Sequence, residues 1–233
     1  MKTLELIDRI QSLYSKGVSS DDSRLSSRHI YSKLVTVRQR LLAQHLKQKR
    51  KISDWNYTVL PCVELIKVPS HECSCLSNLG CDVYRTKHPL PKTLVDNFKH
   101  IIQYVMSVDN GMKIEEMSRE QIIYLKGNKY TKDRPKYVIE NGHLYFPVQN
   151  SPGIVKIKFL AENPIEAINY PSYCEECEEC IECRAYDDIE FPIDGDLIDT
   201  VIELSLNELL NVFSRNLEDR TNDSADSNAE GTK

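Results

Sequence analysis

The sequence predicts an α+β protein: an N-terminal helical hairpin, a central antiparallel β meander, and a C-terminal helix packing with the N-terminal helices. Two observations predict it. Apolar residues recur at steps of three and four near both ends of the chain and at steps of two in its middle. The middle also carries Asn110-Gly111 and Asn141-Gly142, the pair favoured in tight β-hairpin turns. The chain accordingly divides into a helical hairpin over 1–52, a β-rich region with cysteine-containing loops over 53–192, a C-terminal helix over 193–215 and a polar tail over 216–233.

In order along the chain, Thr3 is the expected cap of a helix reaching Lys16. Leu6, Ile7, Ile10, Leu13 and Tyr14 form its apolar stripe, and Gly17 suits its left-handed C-terminal position. A second helix is expected from about Ser23 to Lys49, with a stripe of Ile30, Tyr31, Leu34, Val37, Leu41, Leu42, His45 and Leu46. A short link makes these two helices a hairpin. The basic run Lys47 to Lys51 complements the helix dipole, or forms a nucleic-acid patch.

Beyond Asp54 the period changes. Tyr57 to Ile66 reads as a strand in which Pro61 imposes a bulge or an edge. His100–Val108 and Met112–Glu116 flank one turn signal, and Lys136–Glu140 and Leu144–Val148 flank the other. Val155, Ile157 and Phe159 alternate with Lys156 and Lys158, which predicts a half-buried strand. Asp194-Gly195-Asp196 opens the last helix, whose face is Ile198, Val201, Ile202, Leu206, Leu209, Leu210 and Phe213. Leu197 and Leu204 lie off that face, so the helix either threads the monomer core or packs against another subunit. Asn216–Lys233 is a polar tail with no aromatic or large apolar residue after Leu217, the composition of a disordered segment that a partner could order.

A chain of 233 residues holds one large domain or two small ones and buries a core without covalent staples. A net charge of −5 argues against a protein that coats DNA, yet suits a wall along which DNA slides without sticking. The opening residues Met1 to Ile7 lack an apolar leader, and no apolar run approaches the length of a membrane span. Synthesis in a reducing cytoplasm is expected, where eight cysteines point to metal or free thiols before disulfides.

Four of those cysteines, Cys174, Cys177, Cys180 and Cys183, repeat at intervals of three, separated by Glu175, Glu176, Glu178, Glu179 and Glu182. A reactive thiolate needs a nearby cation or helix N-terminus, and these carboxylates act in the opposite sense. The run is therefore structural rather than catalytic. It is the candidate zinc site, with Cys73, Cys75, Cys81, His71 and His88 as further ligands, beside the alternatives of unliganded cysteines and an iron–sulfur cluster. His29, His45, His100 and His143 have no partner at motif spacing, and no phosphate-binding or nucleophile motif is present. Asp187, Asp188, Asp194 and Asp196 are either divalent-ion ligands or helix caps, and capping explains Asp194 and Asp196 more simply. Trp55, the one tryptophan, is read as an anchor of the helix-to-sheet junction.

Several strings in order resemble one family. They are Ser20 to Leu34, Lys51-Ile-Ser-Asp-Trp-Asn-Tyr57, Leu60-Pro-Cys-Val-Glu-Leu-Ile66, Ser70-His-Glu-Cys-Ser-Cys75, Pro89-Leu-Pro-Lys92 and Phe191 to Leu204. Together they resemble virion structural proteins of crAss-like bacteriophages, the neck ring proteins that act as head-to-tail connectors. The resemblance implies an oligomeric ring, dodecameric, coaxial between portal and tail. Copies of itself, the portal and other neck or tail proteins would be its partners. It implies no enzyme activity; passive contact with translocating DNA, no membrane partner and no cofactor beyond the candidate structural zinc are expected. Such a ring places the protein in the virion neck, and replacing Ile202 or Leu209 with Asp is expected to abolish its assembly. Two other classes compete: a zinc-stabilised intracellular binding module regulating nucleic acid or protein, and a thiol oxidoreductase.

Overall fold

The computed structural model describes residues 1–15, 25–72, 83–109, 111–118, 120–122, 135–147, 152–174 and 189–211. The chain forms two compact units, Met1–Lys49 with Ala185–Lys233, and Arg50–Arg184.

The first unit is helical. Helix α1 is Thr3–Tyr14, α2 is Ser27–Lys47, and the last helix extends from 198 to 211, where the description ends. The sequence placed the α1 cap at Thr3, but Lys2 holds that position, and the Glu5 carboxylate accepts from the Lys2 N–H at 2.9 Å. Thr3 is buried instead, donating through both its hydroxyl (2.7 Å) and its N–H (2.9 Å) to the Ile189 carbonyl. It thereby fastens the 189–193 segment alongside α1. Helix α2 starts later than expected because Ser26 caps it, accepting from the His29 N–H at 3.3 Å. Leu6, Ile7 and Ile10 of α1 are fully buried, as are Ile30, Leu34, Val37 and Leu42 of α2. Leu13 stands 49% exposed, outside the stripe assigned to it.

Arg38 is a charged residue in this apolar unit that periodicity alone would not place there. It is fully buried, and its Nε donates to the Pro192 carbonyl at 2.7 Å. Loss of hydration lowers its pKa to about 10, a value that leaves it charged at neutral pH. The last helix joins α2 through Glu208, whose carboxylate lies 2.6 Å from Arg40 and 3.6 Å from Lys33. The expected packing of the C-terminal helix with the N-terminal helices is thus observed. Asp194 opens the segment through its backbone, its carbonyl accepting from the Leu197 N–H at 3.0 Å, rather than through a side-chain cap. One stripe of the helix, Val201, Ile202, Ser205 and Leu209, is buried, whereas Leu210 is 45% exposed. Ile202 and Leu209 therefore belong to the core of their own unit and are not free to form a subunit interface.

The second unit corrects the meander. Its strands are β1 (Thr58–Val68), β2 (Val83–Thr86), β3 (Val95–Asp96), β4 (Lys99–His100), β5 (Ile102–Ser107), β6 (Lys113–Glu116), β7 (Lys136–Glu140), β8 (His143–Phe146) and β9 (Ile154–Phe159). Seven of them close a barrel in the order β1-β2-β8-β7-β6-β5-β9, and β3 and β4 form a separate ribbon. All neighbours in the barrel are antiparallel except β6 and β7, which run parallel. Closure depends on β1, which is long enough to pair with β2 at its end and β9 along its start. The register shifts between Leu60 and Val63, around Pro61, so the bulge expected from that proline bends the strand that closes the barrel.

Both turn signals form hairpins. Gly111 takes φ +65° between β5 and β6, and Asn141 and Gly142 take φ +50° and +77° between β7 and β8. Positive values at both central positions define the type I′ turn that suits strand twist. Alternation then sorts the side chains. Val105, Ile114, Tyr137, Leu144, Phe146, Val155, Ile157 and Phe159 fill the interior. Val68, Val83, Val138 and Tyr145 form a second buried cluster on the opposite face of their strands, with Met117 and Ile122 from the segment after β6. The short helix α3, Pro164–Ile168, capped by Asn163, packs on β1.

Candidate assembly surfaces

Among the described residues, no group of three or more histidines, cysteines or carboxylates is placed to hold a metal ion. Cys174 is joined to Cys62 by a disulfide with its Cα atoms 5.6 Å apart. Cys62 follows the Pro61 bulge on β1, and the Tyr173 N–H donates to the Cys62 carbonyl at 3.0 Å, holding the two segments side by side. Paired sulfur carries no thiolate, so Cys174 in this state is not a zinc ligand, and the expectation of thiols before disulfides fails at this position. Cys177, Cys180 and Cys183 lie outside the described residues, as do Cys73, Cys75, Cys81, Asp187 and Asp188. Gly17, Phe213 and the 216–233 tail are outside them too.

The rings of His143 and His100 hydrogen-bond within the barrel unit. His143 Nδ1 lies 2.8 Å from the Thr86 carbonyl and 3.1 Å from its hydroxyl, and burial lowers its pKa. His100 Nδ1 pairs with the Thr93 hydroxyl at 2.5 Å. The His88 carbonyl accepts from the Tyr170 hydroxyl at 3.1 Å, and burial raises that phenol to about 12. Burial likewise raises Tyr137. Each shift holds its group neutral near pH 7, and none places a nucleophile beside a base. The basic run Lys47 to Lys51 is solvent-exposed. No helix among the described residues is long and apolar enough to cross a membrane.

What the barrel unit does display is apolar side chains in water. Trp55, read from the sequence as an anchor of the helix-to-sheet junction, is 75% exposed in a 3₁₀ turn, Asp54–Asn56, so its ring does little packing there. Asp54 in the same turn pairs with Lys158 at 2.9 Å, and that bond holds its carboxyl below the usual range. Val59, Val95, Phe98, Val108, Met112 and Tyr173 are also exposed. Phe98 stands at the tip of the β3–β4 ribbon, which sequence reasoning did not detect. The available signals were Asn97, a residue that tolerates left-handed backbone, and its setting of Val95-Asp96 before and Lys99-His100 after. The ribbon is anchored by an isolated bridge between Thr93 and Ala161 and by the Leu94 N–H donating to the Leu160 carbonyl at 2.8 Å. Beside its base lies a cavity of about 200 Å³ walled by Leu90, Pro91, Ile102 and Ile139, with Lys92 and Glu162 also lining it.

The chain comprises a helical unit and a barrel unit, and several apolar side chains of its described residues stand in solvent. Over residues 5–228 the chain matches the family described as phage tail ring protein 2, and it belongs to that family. It is similar to Ring protein 2 of Bacteroides phage crAss001, with 29% identity over 202 residues, covering 82% of this chain and 84% of the relative. The resemblance to crAss-like phage ring proteins is borne out, and the chain is a structural ring component of a phage virion.

Proposed function

We propose that this chain forms an oligomeric, dodecameric ring in the virion neck, connecting the portal and head to the tail and lining the passage for DNA. The observation that supports it most is the family match itself, which spans residues from both compact units. A closed ring repeats a head-to-tail contact, so each copy needs two different faces. Phe98, Trp55 and Leu210 are exposed apolar residues from which such faces can be built. The net charge of −5 suits a wall that does not retain phosphate. The portal above and tail proteins below are the remaining partners, and the role is structural, with no reaction.

The test is cross-linking of intact particles followed by identification of linked peptides. The proposal expects links between copies of this chain and from it to the portal. Links only to distal tail proteins would move the ring out of the neck. The competing zinc-stabilised module would need Cys174 freed from its disulfide to join Cys177, Cys180 and Cys183. Stoichiometric zinc in protein purified without chelator, with salt-dependent DNA binding, would favour that module.

A further inference from the structure

We infer that Phe98 is a plug that seats in the cavity formed by Leu90, Pro91, Ile102 and Ile139 of a neighbouring copy of this chain. The inference rests on the ring reading and assigns one contact within it.

Three observations carry it. The first is exposure: Phe98 is 102% exposed, so it contributes no packing to its own barrel. The second is backbone conformation. Asn97 and Phe98 take φ +49° and +65° between the paired strands β3 and β4. This is a type I′ turn, and its second central position favours glycine. A bulky aromatic there is strained, and strain retained where nothing in the fold requires it points to function. The third is fit. A cavity of ~150 Å³ takes a benzene ring, and this one, half open to solvent and lined by Thr93 and His100 beside its apolar residues, is about 200 Å³. Asp96 and Lys99 flank Phe98, while Lys92 and Glu162 line the cavity, so each charge on the plug has an opposite charge to meet. The two-residue turn and its anchored ribbon hold the aromatic ring out rigidly, which limits the entropy lost on docking. Phe98 stands at the tip of the ribbon, whereas Thr93 and His100 line the cavity at its base, so one copy can offer its tip to a second copy and receive the tip of a third, as a head-to-tail contact requires.

Phe98→Gly separates docking from folding. Asparagine followed by glycine is the preferred pair for this turn, so the purified variant should melt at or above the wild-type temperature. Its copy number per phage particle should fall at least tenfold. A variant that incorporates at wild-type level would overturn the inference. A photo-reactive phenylalanine at position 98, activated in assembled particles, should then link to residues 90–93 or 139–142 of a second copy. Links elsewhere on that copy, or to another virion protein, would overturn the cavity assignment while leaving the ring standing. Linked species that stop at two copies would show reciprocal exchange and overturn the head-to-tail arrangement. Absence of the wild-type chain from the particle would instead remove the ring reading itself.

Discussion

Cutting the Cys62–Cys174 disulfide should weaken the barrel unit substantially, because the bond spans a sequence separation of 112 residues. The closed loop contains β2 to β9 and α3. In the chain-entropy account, a cross-link stabilises by restricting the unfolded chain, and a loop of this length corresponds to ~5 kcal/mol. Native disulfides measured by removal give roughly 2–5 kcal/mol, so the expected loss for Cys174→Ser lies in that range. With a urea dependence of about 2 kcal/mol per molar, the barrel transition should shift down by roughly 1–2.5 M. The Tyr173 N–H bond to the Cys62 carbonyl persists in the variant, so the native geometry need not change. The assay is urea unfolding of the wild type with and without reductant, beside Cys174→Ser, with peptide mapping of the unreduced protein. Reductant should lower the wild-type midpoint to that of the variant and leave the variant unmoved. Equal midpoints in all three, with no linked Cys62–Cys174 peptide, would refute the reasoning and return Cys174 to the pool of zinc ligands.

Other expectations follow from burial and protonation. Arg38→Ala strands the Pro192 carbonyl and opens a cavity, and should destabilise the helical unit by about 3 kcal/mol in thermal unfolding; Arg38→Met, which refills the volume, should cost less. Leu209→Asp, at a fully buried position, should unfold the helical unit, whereas Leu210→Asp, at an exposed one, should keep the wild-type circular dichroism spectrum and be the usable probe of assembly. Burial lowers the His143 pKa in the folded state, so the unfolded chain binds the proton more readily. Stability should therefore be full above the ordinary value of 6.5 and decline as pH falls below it toward the depressed folded value. A His143→Gln variant should show a flatter pH profile of the melting temperature across that window.

Elements built on local rules were legible in the sequence. The Leu6-Ile7-Ile10 stripe, the alternation of Val155, Ile157 and Phe159, and the turn at Asn141-Gly142 each depend on neighbours a few residues away. The Pro61 bulge was legible for the same reason, since proline disrupts a ladder wherever it falls. Barrel closure was not legible. Whether β1 ends at an edge or pairs with β9 depends on residues about a hundred positions away, and β6 beside β7 is a parallel pair that no short turn can announce. Strand β2 is short, and its Thr86 is buried with its hydroxyl accepting from the Leu144 N–H at 3.3 Å, a long-range partner that local pattern does not encode. Arg38 escaped notice because a charged residue on a helix is ordinarily solvated, and the Pro192 carbonyl that accepts from its buried guanidinium lies far along the chain. The exposed ribbon carrying Phe98 was hidden for the converse reason: an apolar residue in sequence reads as core, and only the fold reveals it in solvent. The family resemblance, carried by strings in order rather than by chemistry, identified the protein class where no motif could.

The most direct test of the central claim is cryo-electron microscopy of intact particles focused on the head-to-tail junction. The account predicts this chain as a closed coaxial ring around the DNA path, below the portal, with its barrel units in repeated contact. A particle whose junction contains no ring of this chain, or an open, unclosed arrangement of its copies, would contradict it.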